Sequence, residues 1–338
     1  METVLNSSIF RSALVIRVVL LSFALSATGC VVIPIADLLK PKPVKEHVLT
    51  EGKGVFGKDK IAVIQIEGVI ASRASGNLLS LQVNSVNELH ERLKQVRDDS
   101  RVKALVLRIS SPGGEVTACD VMHQEILRLK SDREIPVLAS IVDVGASGGY
   151  YVALAADEIY ARRTAVVGSI GVLIQSLNVA GLFDKIGLEM TTVKSVGFKD
   201  LVSPYKASRP EEIAVLQDVV TAMHERFVDI VDVGRPKLGR SAVSELADGK
   251  VYVAEKALDL GLVDKIGGLN DVLVRAAELA DIQDPTVVTY RRDGTSSDAY
   301  TIQSSVEGTR MSSDGQGLSM NLQIDTLPRT RFLYLWAP

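Results

Sequence analysis

Hydrophobic and polar positions follow two different periods along the central part of the chain, and each period predicts a different element. The run KIAVIQIEGVI, which begins at Lys60, has the β-branched composition of a strand that ends at a glycine. The run VKALVLRIS is nearly continuously apolar, which indicates a strand covered on both faces. Between these strands, apolar residues recur every three or four positions, as in an amphipathic helix: Val83, Val86, Leu89, Leu93 and Val96.

Strand and helix patterns keep alternating after this point. Helices are predicted over CDVMHQEILRLK, GGYYVALAA and VAGLFDKIG, and strands over IPVLASIV, EIYA and EMTTVKSV. Ser208 and Glu211 have the spacing of a capping box, and two further helix patterns precede Pro285. The helix after Ser208 has an apolar face made of Ile213, Leu216, Val220, Met223, Phe227 and Ile230. We therefore predict a single α/β domain over residues 59–284.

The segments that flank this domain have a different composition. Residues 31–58 mix proline, glycine and charge without an apolar period, which predicts a linker. From Pro285 the chain is rich in serine, glycine and threonine, and it ends on the apolar run RFLYLWAP. We predict a flexible tail over residues 285–338.

The first 30 residues have the layout of an export signal. Arg11 and Arg17 precede an apolar segment that ends in small residues before Cys30. Those small residues resemble a lipobox, which predicts that Cys30 becomes the lipidated first residue after cleavage. Alternatively, the uncharged stretch Val18–Ala36 is long enough to span a bilayer. Residues 1–30 are therefore predicted to be a signal peptide or a membrane anchor, with a released protein as the third alternative.

Composition narrows the class of partner and the redox chemistry. The formal net charge is −3 and no long basic run is present, so we expect no nucleic-acid partner. The chain has two cysteines, Cys30 and Cys119. If Cys30 carries lipid, no disulfide can form within the chain. Cys119 lies in a predicted helix and is interpreted as a small buried hydrophobic residue.

Three turns carry residue types that an acyl-transfer site uses. SSPGGEV, from Ser110 to Val116, leaves a strand and enters a helix, so its amides could bind an oxyanion; an ordinary strand-to-helix turn has the same pattern. Ser147 in GASGGYYVA is either a helix N-cap or an exposed nucleophile. Ser169 lies between glycines in VVGSIGVLI, where a hydroxyl is either satisfied in the core or part of a site.

A nucleophilic serine needs a general base, and histidine is the most common one. None of the four histidines follows Ser147 in a predicted strand or loop; they are His47, His90, His123 and His224. A lysine amine can take this role, but only while it is neutral, a state that burial favours. Three lysines lie in VKSVGFKDLVSPYK, and each alone also fits a solvated surface charge: Lys194, Lys199 and Lys206.

Taken in order, the blocks SPGGEV, ASGGYYVA, VGSIGV, VKSVGFKD with SPYK, and ADGKVYVAEKALDLGLVDKIGG resemble the signal peptide peptidase A family of membrane-bound Ser-Lys proteases. The resemblance runs from about Lys60 to Leu273. At Ser110 the family often has asparagine, a position that supports the turn rather than the chemistry.

The resemblance implies a role for each matching residue. Ser147 corresponds to the nucleophile and Lys199 to the general base. Ser169 corresponds to the hydroxyl that orients the lysine amine, and the amides of Gly114 and Gly148 correspond to the oxyanion hole. It implies no cofactor and no metal ion.

The resemblance also implies a fold and an activity. The α/β fold would be a spiral of ββα units, as in crotonases and the caseinolytic protease subunit; the alternating pattern itself equally fits a doubly wound sheet. The expected activity is that of a membrane-anchored serine endopeptidase that cuts apolar peptides, such as cleaved signal peptides, through an acyl-enzyme. The expected location is the extracytoplasmic side of a bacterial cell membrane, in a ring-forming homo-oligomer.

Two other functions are compatible with such a fold. A catalytically silent, membrane-associated peptide-binding scaffold would need neither Ser147 nor Lys199, so the presence of both argues against it. A crotonase-like acyl-CoA enzyme would use the same kind of oxyanion hole, but an exported chain would meet no acyl-CoA.

Overall fold

The computed structural model describes residues 43–52, 59–72, 85–292 and 331–336. The predicted signal peptide or anchor and Cys30 lie outside the described residues. Among the helices within those four ranges, none is both long enough and apolar enough to cross a bilayer.

The described elements alternate between strands and helices through most of the chain. In order, they are β1 (Val44–Thr50), β2 (Lys60–Glu67), α1 (Ser85–Asp98), β3 (Val102–Ser111), β4 (Gly113–Glu115), α2 (Val116–Arg133), β5 (Val137–Ala146), α3 (Gly148–Ala153), β6 (Glu158–Ala161), β7 (Val166–Gly168), β8 (Leu173–Gln175), α4 (Ala180–Ile186), α5 (Pro210–Gly234), α6 (Arg240–Leu246), β9 (Val251–Val253), α7 (Ala254–Asp259), β10 (Lys265–Ile266), α8 (Leu269–Leu279), β11 (Thr286–Arg292) and β12 (Arg331–Leu335).

Nine of the described strands form one sheet, in the order β1-β11-β2-β3-β5-β6-β10, with β7 beside β5 and β9 beside β7. The strands from β11 to β6 pair in parallel, whereas β1 is antiparallel to β11. Parallel neighbours need a crossover connection, which α1, α2 and α3 provide between the central strands. The fold is therefore mixed α/β, as the alternating pattern predicts.

The central strands are buried on both faces, as the continuous apolar pattern of β3 predicts. Leu105 and Leu107 point into the larger core, which α1 and α2 help to form. Ala104 and Val106, which alternate with them, pack into a second core beneath α8. Since side chains alternate between the two faces of a strand, a run of apolar residues can fill both cores at once.

Two local predictions differ from the structure. EMTTVKSV, residues 189–196, forms no strand, and its residues are exposed. The long helix starts one residue later than the Ser208 spacing predicts: the Arg209 N–H donates to Glu212 Oε2 at 3.1 Å, and Pro210 opens the helix. Proline suits that position because the first helical N–H has no partner in the helix.

Three segments outside the predicted domain also belong to the folded part. β1 lies within the predicted linker, and β11 and β12 lie within the predicted flexible tail. β11 pairs with β2 and is mostly buried, and β1 covers its other edge. The structure thus differs from the prediction at these three strands. Each is a short segment within a stretch of polar composition, and pairing with distant residues stabilises it as a strand.

Candidate active site

Ser147 and Ser169 lie side by side at the ends of two paired strands. β5 and β7 run parallel with Ala146 opposite Gly168, so the next residue of each strand is one of the two serines. The Ser147 N–H donates to the Gly168 carbonyl at 2.7 Å. The structure therefore brings these two predicted site residues together at the carboxyl edge of the sheet, where sites in α/β folds commonly form.

Both serines have a backbone conformation that residues other than glycine rarely adopt. Ser147 has φ 51° and ψ −119°, and Ser169 has φ 51°. Such a conformation costs about 1–3 kcal/mol and persists only where the surroundings enforce it. Here the Ser147 carbonyl accepts from Tyr151 N–H at 2.9 Å, and the Ser169 N–H donates to the Lys250 carbonyl at 2.6 Å. A strained serine between a strand and a helix has the backbone character of a nucleophile elbow.

The Ser147 side chain does not have the ordinary role of an N-cap. Ser147 precedes α3, but its hydroxyl makes no capping hydrogen bond. The residue is 1% exposed, and its Oγ has no hydrogen-bond partner among the described residues. Leaving a buried hydroxyl unpaired costs about 1–3 kcal/mol. Ser147 is therefore a position at which a buried hydroxyl is held at a cost to stability.

The two glycine segments predicted for the oxyanion hole meet beside this serine. A Cβ on Gly113 would lie 2.6 Å from the Gly148 amide nitrogen, and a Cβ on Gly148 would lie 3.1 Å from Gly113 Cα. Gly113 also has φ +101°, which favours glycine. The Gly113 carbonyl accepts a hydrogen bond from the Ile70 N–H, and the Glu115 N–H donates one to the Ile70 carbonyl. Because successive residues of a strand point their amides to opposite sides, the amide of Gly114 faces the other side of β4.

Ser111 shapes this turn, a role that the sequence analysis did not assign. Its hydroxyl donates to the Gly68 carbonyl at 2.7 Å and accepts from the Gly113 N–H at 3.1 Å. The amide of Gly113 is thereby occupied. A buried serine directly before Pro-Gly-Gly was the available signal, since serine hydroxyls often bond to the backbone of the turn that follows.

The three candidate lysines differ in their surroundings. Lys194 Nζ donates to Asp200 Oδ1 at 2.7 Å, and Lys206 pairs with Asp200 and Glu212. The hydrogen bond from Lys194 is the main cause that lowers the pKa of Asp200 to about 2, and the hydrogen bond to Glu212 raises the pKa of Lys206. Lys199 is exposed, and within the described ranges its amine has no ion pair or hydrogen bond.

Among the described residues, no histidine makes a hydrogen bond with the Ser147 hydroxyl. His90 Nδ1 lies 3.2 Å from Glu125, and His224 Nε2 lies 2.9 Å from the Ala247 carbonyl. His47 lies on β1 opposite Thr289, at the far edge of the sheet. Burial lowers the pKa of His123 to about 4, and its ring contacts Tyr151. That no histidine acts as the base stays a prediction.

Cys119 is buried, as predicted, directly beneath the start of α3. A Cβ on Gly148 would lie 2.4 Å from its Sγ, so the two helices α2 and α3 approach closely at this glycine. Burial raises the pKa of the Cys119 thiol, which keeps it protonated. The residue supports the turn by packing and offers no reactive thiolate.

The described end of the chain completes the site, which the sequence analysis missed. β12 lies between β4 and β8 in a second, three-stranded sheet, antiparallel to both. Tyr334 stands opposite Gly114, and Leu333 stands opposite Leu173. The apolar run RFLYLWAP was the signal in the sequence, although nothing in it specified where the segment binds.

The chain is similar to known peptidases over much of its length. Residues 129–283 match peptidase family S49. The Enterococcus faecium protein named signal peptide peptidase SppA is 35% identical over 252 residues, which cover 75% of this chain and 72% of that protein. Protease 4 of Haemophilus influenzae is 31% identical over 231 residues, 68% of this chain and 36% of that protein.

Solved structures of lower identity are also similar. The 1510-N membrane-bound stomatin-specific protease covers 66% of this chain, with 86% of its own chain aligned, 16% identity and a TM-score of 0.42. ClpP1 from Listeria monocytogenes covers 62% of this chain, with 94% of its own chain aligned, 17% identity and a TM-score of 0.40.

The relatives confirm the resemblance that the ordered sequence blocks indicate. The S49 match spans Ser147, Ser169 and Lys199, and the SppA relative is aligned over most of both chains. This chain therefore belongs to the SppA family of S49 peptidases and is a serine endopeptidase.

Proposed function

We propose that the protein is a membrane-anchored Ser-Lys endopeptidase that hydrolyses apolar peptides, such as cleaved signal peptides, through an acyl-enzyme on Ser147. The observation that carries the proposal is the Ser147 hydroxyl. It is buried without a hydrogen-bond partner among the described residues, on a strained turn beside Gly113 and Gly148. Such a hydroxyl is placed for a reaction rather than for the stability of the fold.

In the proposed mechanism, Ser147 Oγ attacks the substrate carbonyl while the Lys199 amine takes its proton. The oxyanion that forms accepts hydrogen bonds from the amides of Gly114 and Gly148. The lysine then returns the proton to the leaving amine, and an acyl ester remains on Ser147. Water, deprotonated by the same lysine, hydrolyses this ester. Ser169 has the role of orienting the lysine amine.

The ion pairs favour Lys199 as the base among the three candidates. Lys194 and Lys206 are both paired with Asp200, and a carboxylate partner favours the ammonium form. An ammonium group cannot accept the proton of Ser147. Lys199 carries no such partner within the described part of the chain, so its amine remains available for the site.

We propose that the lysine acts on the serine of a neighbouring copy in a ring-shaped homo-oligomer. Lys199 lies on an arm, residues 176–216, that contains α4 and the start of α5. In α4 no residue is buried. The arm exposes many large apolar side chains, among them Leu182, Ile186, Leu188, Met190, Val193, Val196, Phe198 and Ile213.

We propose that this apolar surface binds a second copy of the chain. Exposed apolar surface of this extent is typical of an interaction site. The same arm carries a lysine without a partner, while the nucleophile of the chain has no base of its own among the described residues. Docking the arm of one copy onto the next would cover the apolar side chains and complete the pair.

The direct test of the proposed function is digestion of apolar peptides by the purified protein, with the cuts mapped by mass spectrometry. We expect internal cuts, and no cuts when the Ser147→Ala protein is treated identically. Cuts that persist in the Ser147→Ala protein would assign them to a contaminant or another nucleophile. Intact peptides in both samples would contradict the proposal.

The activity is expected to rise with pH from mildly acidic into alkaline conditions. The base must be neutral to accept a proton, so activity is carried by the deprotonated amine and is lost as pH falls. Burial of an amine between two copies would favour the neutral form that the reaction needs. The measurement is kcat/KM between pH 5 and pH 10. A plateau complete at pH 6 that persists in Lys199→Ala would contradict a lysine base.

For localisation, we propose attachment through Cys30 to a bacterial cell membrane, with the catalytic domain on the extracytoplasmic side. The sequence before Cys30 supports this, as small residues follow an apolar segment. Labelled fatty acid is expected to be incorporated into the wild-type protein and to be absent from Cys30→Ala. A protein that stays unlabelled and membrane-bound with its N-terminus intact would favour a transmembrane anchor instead.

A further inference from the structure

We infer that Glu212 is a positioning residue for the reaction, because it fixes the turn that carries Lys199. This turn comprises residues 197–200. The inference rests on the proposed function, in which Lys199 is the general base, and it adds a residue to that mechanism. Three observations carry it: the burial of the Glu212 carboxylate, the groups that donate to it, and the contacts of those groups with the turn.

Glu212 is a buried carboxylate on an arm whose other side chains are mostly exposed. It is 1% exposed and lies in the first turn of α5. Burial of a charged group is costly unless that group is paired and hydrogen-bonded. The Lys206 amine and the Arg209 guanidinium both donate to Glu212 Oε1, the latter at 2.8 Å. These hydrogen bonds, with that of Lys206 as the main cause, lower the pKa of Glu212 to about 2, so the group is a carboxylate at neutral pH.

Capping of α5 does not account for the two cationic donors. A capping box needs only the hydrogen bond from the Arg209 N–H, which Glu212 accepts with its other oxygen, Oε2, at 3.1 Å. The two side-chain donors satisfy no backbone group of the helix. They belong to the segment that precedes α5, and Glu212 Oε1 brings them to one point. Glu212 therefore connects the start of α5 to the preceding part of the arm.

Arg209 links this carboxylate to one side of the turn. The same Nη2 atom that donates to Glu212 also donates to the Gly197 carbonyl at 3.2 Å. The Arg209 guanidinium carbon lies 5.7 Å from the centroid of the Phe198 ring. A free arginine side chain has many rotamers, and the bonds to Glu212 restrict them. Because Gly197 and Phe198 are the two residues before Lys199, Glu212 acts on the turn through Arg209.

Lys206 links the carboxylate to the other side of the turn. Its amine pairs with Glu212 and also lies 3.2 Å from Asp200 Oδ1, and Asp200 directly follows Lys199. The backbone of the turn is held less firmly, since the Lys199 N–H donates to the Val196 carbonyl at 3.3 Å. Ion-paired side chains thus contact the residues on both sides of Lys199, and Glu212 is the acceptor that they share.

The position of the turn matters because a general base acts only within hydrogen-bond distance of the proton that it takes. A displacement of about 1 Å can slow a reaction on the order of a hundredfold. The base acts in the chemical step. Loosening the turn is therefore expected to lower kcat and to leave KM nearly unchanged.

The first experiment measures kcat and KM of the full-length Glu212→Gln protein for one apolar peptide. Glutamine keeps the shape and can still cap α5, but it removes the charge that holds the two cations. We expect kcat to fall by at least about tenfold and KM to stay within about twofold of the wild type. Glu211→Gln is the matched control, because Glu211 lies in the same helical turn and is exposed. Its kcat should equal that of the wild type.

Circular dichroism and size-exclusion chromatography are recorded for both variants, to follow the fold and the assembly. A Glu212→Gln protein with wild-type kcat would overturn the inference. So would a fall in activity that comes from a raised KM, from unfolding or from loss of the assembly, since Glu212 would then serve substrate binding, the fold or the subunit contacts.

The second experiment is hydrogen–deuterium exchange and does not depend on catalysis. The amides of Lys199, Leu201 and Ser203 each donate to a carbonyl three residues earlier. In Glu212→Gln their exchange is expected to be about fivefold faster than in the wild type, while that of β5 is unchanged. Equal exchange of the three amides in both proteins would overturn the inference even if activity falls. Faster exchange, together with a wild-type protein that cuts no peptide, would count against the proposed function alone.

Variants of the two cations test the path from Glu212 to the turn. Arg209→Gln removes the contacts with Gly197 and Phe198 and should lower kcat by at least about tenfold, as Glu212→Gln does. Lys206→Ala should be milder, because Glu212 then keeps both hydrogen bonds from Arg209. A folded Arg209→Gln protein with wild-type kcat would overturn the inference, since Glu212 would then have no route to the turn through Arg209.

Discussion

Replacing Ser147 with alanine is expected to lower kcat for peptide hydrolysis by about 10⁴-fold or more, because no acyl-enzyme can form without the hydroxyl. The same change should leave the protein folded. Ser147 Oγ has no hydrogen-bond partner within the described residues, so its removal breaks no described bond and relieves the cost of a buried, unpaired hydroxyl. The melting temperature of Ser147→Ala should therefore equal or exceed that of the wild type.

Ser140→Ala is the matched control for this prediction. Ser140 lies on β5, the strand that ends at Ser147, and is 2% exposed. Both variants remove one buried hydroxyl from the same part of the fold. Peptide hydrolysis and thermal unfolding are measured on both proteins. Near wild-type hydrolysis by a folded Ser147→Ala protein would show that another residue is the nucleophile.

Lys199→Ala is expected to lose activity to a similar extent, whereas Lys194→Ala and Lys206→Ala should have mild effects. The reason is that Lys194 and Lys206 both form ion pairs with Asp200, and Lys199 has no such partner in the described residues. The measurement is kcat/KM for one apolar peptide with each folded variant. A Lys199→Ala protein with near wild-type activity, together with an inactive Lys194→Ala protein, would assign the base to Lys194.

A mixture of the two inactive variants tests whether the pair is shared between copies. When Ser147→Ala and Lys199→Ala are co-expressed, some interfaces join an intact serine to an intact lysine. Random mixing in a ring with one interface type restores about a quarter of the sites. The activity of the purified mixed assembly, relative to each variant alone, measures this fraction. Mixed assemblies that form and remain inactive would place both residues in one subunit.

The part of the fold that local periodicity describes could be predicted. The parallel strands β2, β3 and β5 and the helices α1 and α2 follow directly from runs of apolar residues and from three- and four-residue spacing, because both patterns are properties of neighbouring residues. Ser147 and Ser169 could be named as candidates from their turns, although each also fitted a structural role, and only the family resemblance gave them functional roles. The ordered motifs then distinguished a peptidase from an ordinary α/β domain.

The relation between the serine and the lysine could not be read from these patterns. The family resemblance points to Lys199, but the residue patterns by themselves do not distinguish it from Lys194 and Lys206. The folded arm does, through the position of Asp200. The surface that covers the apolar residues of the arm and of α5 could not be predicted from the sequence either. The apolar residues of α5 predict one buried face, but the structure leaves Ile213 52% exposed and buries Phe227, fourteen residues further along the helix. Periodicity shows that a helix has an apolar face and leaves open which surface covers it.

The sequence alone determined the mixed α/β architecture, the family and the turn on which Ser147 lies, since all of these are encoded in residues that are close together in the chain. Only the tertiary structure decided where β1, β11 and β12 bind, because a short strand is stabilised by hydrogen bonds to a distant partner. For β12 the partners are β4 and β8, more than 150 residues earlier in the chain. Tyr334 comes to lie opposite Gly114 through that pairing, and no local pattern around Tyr334 specifies it.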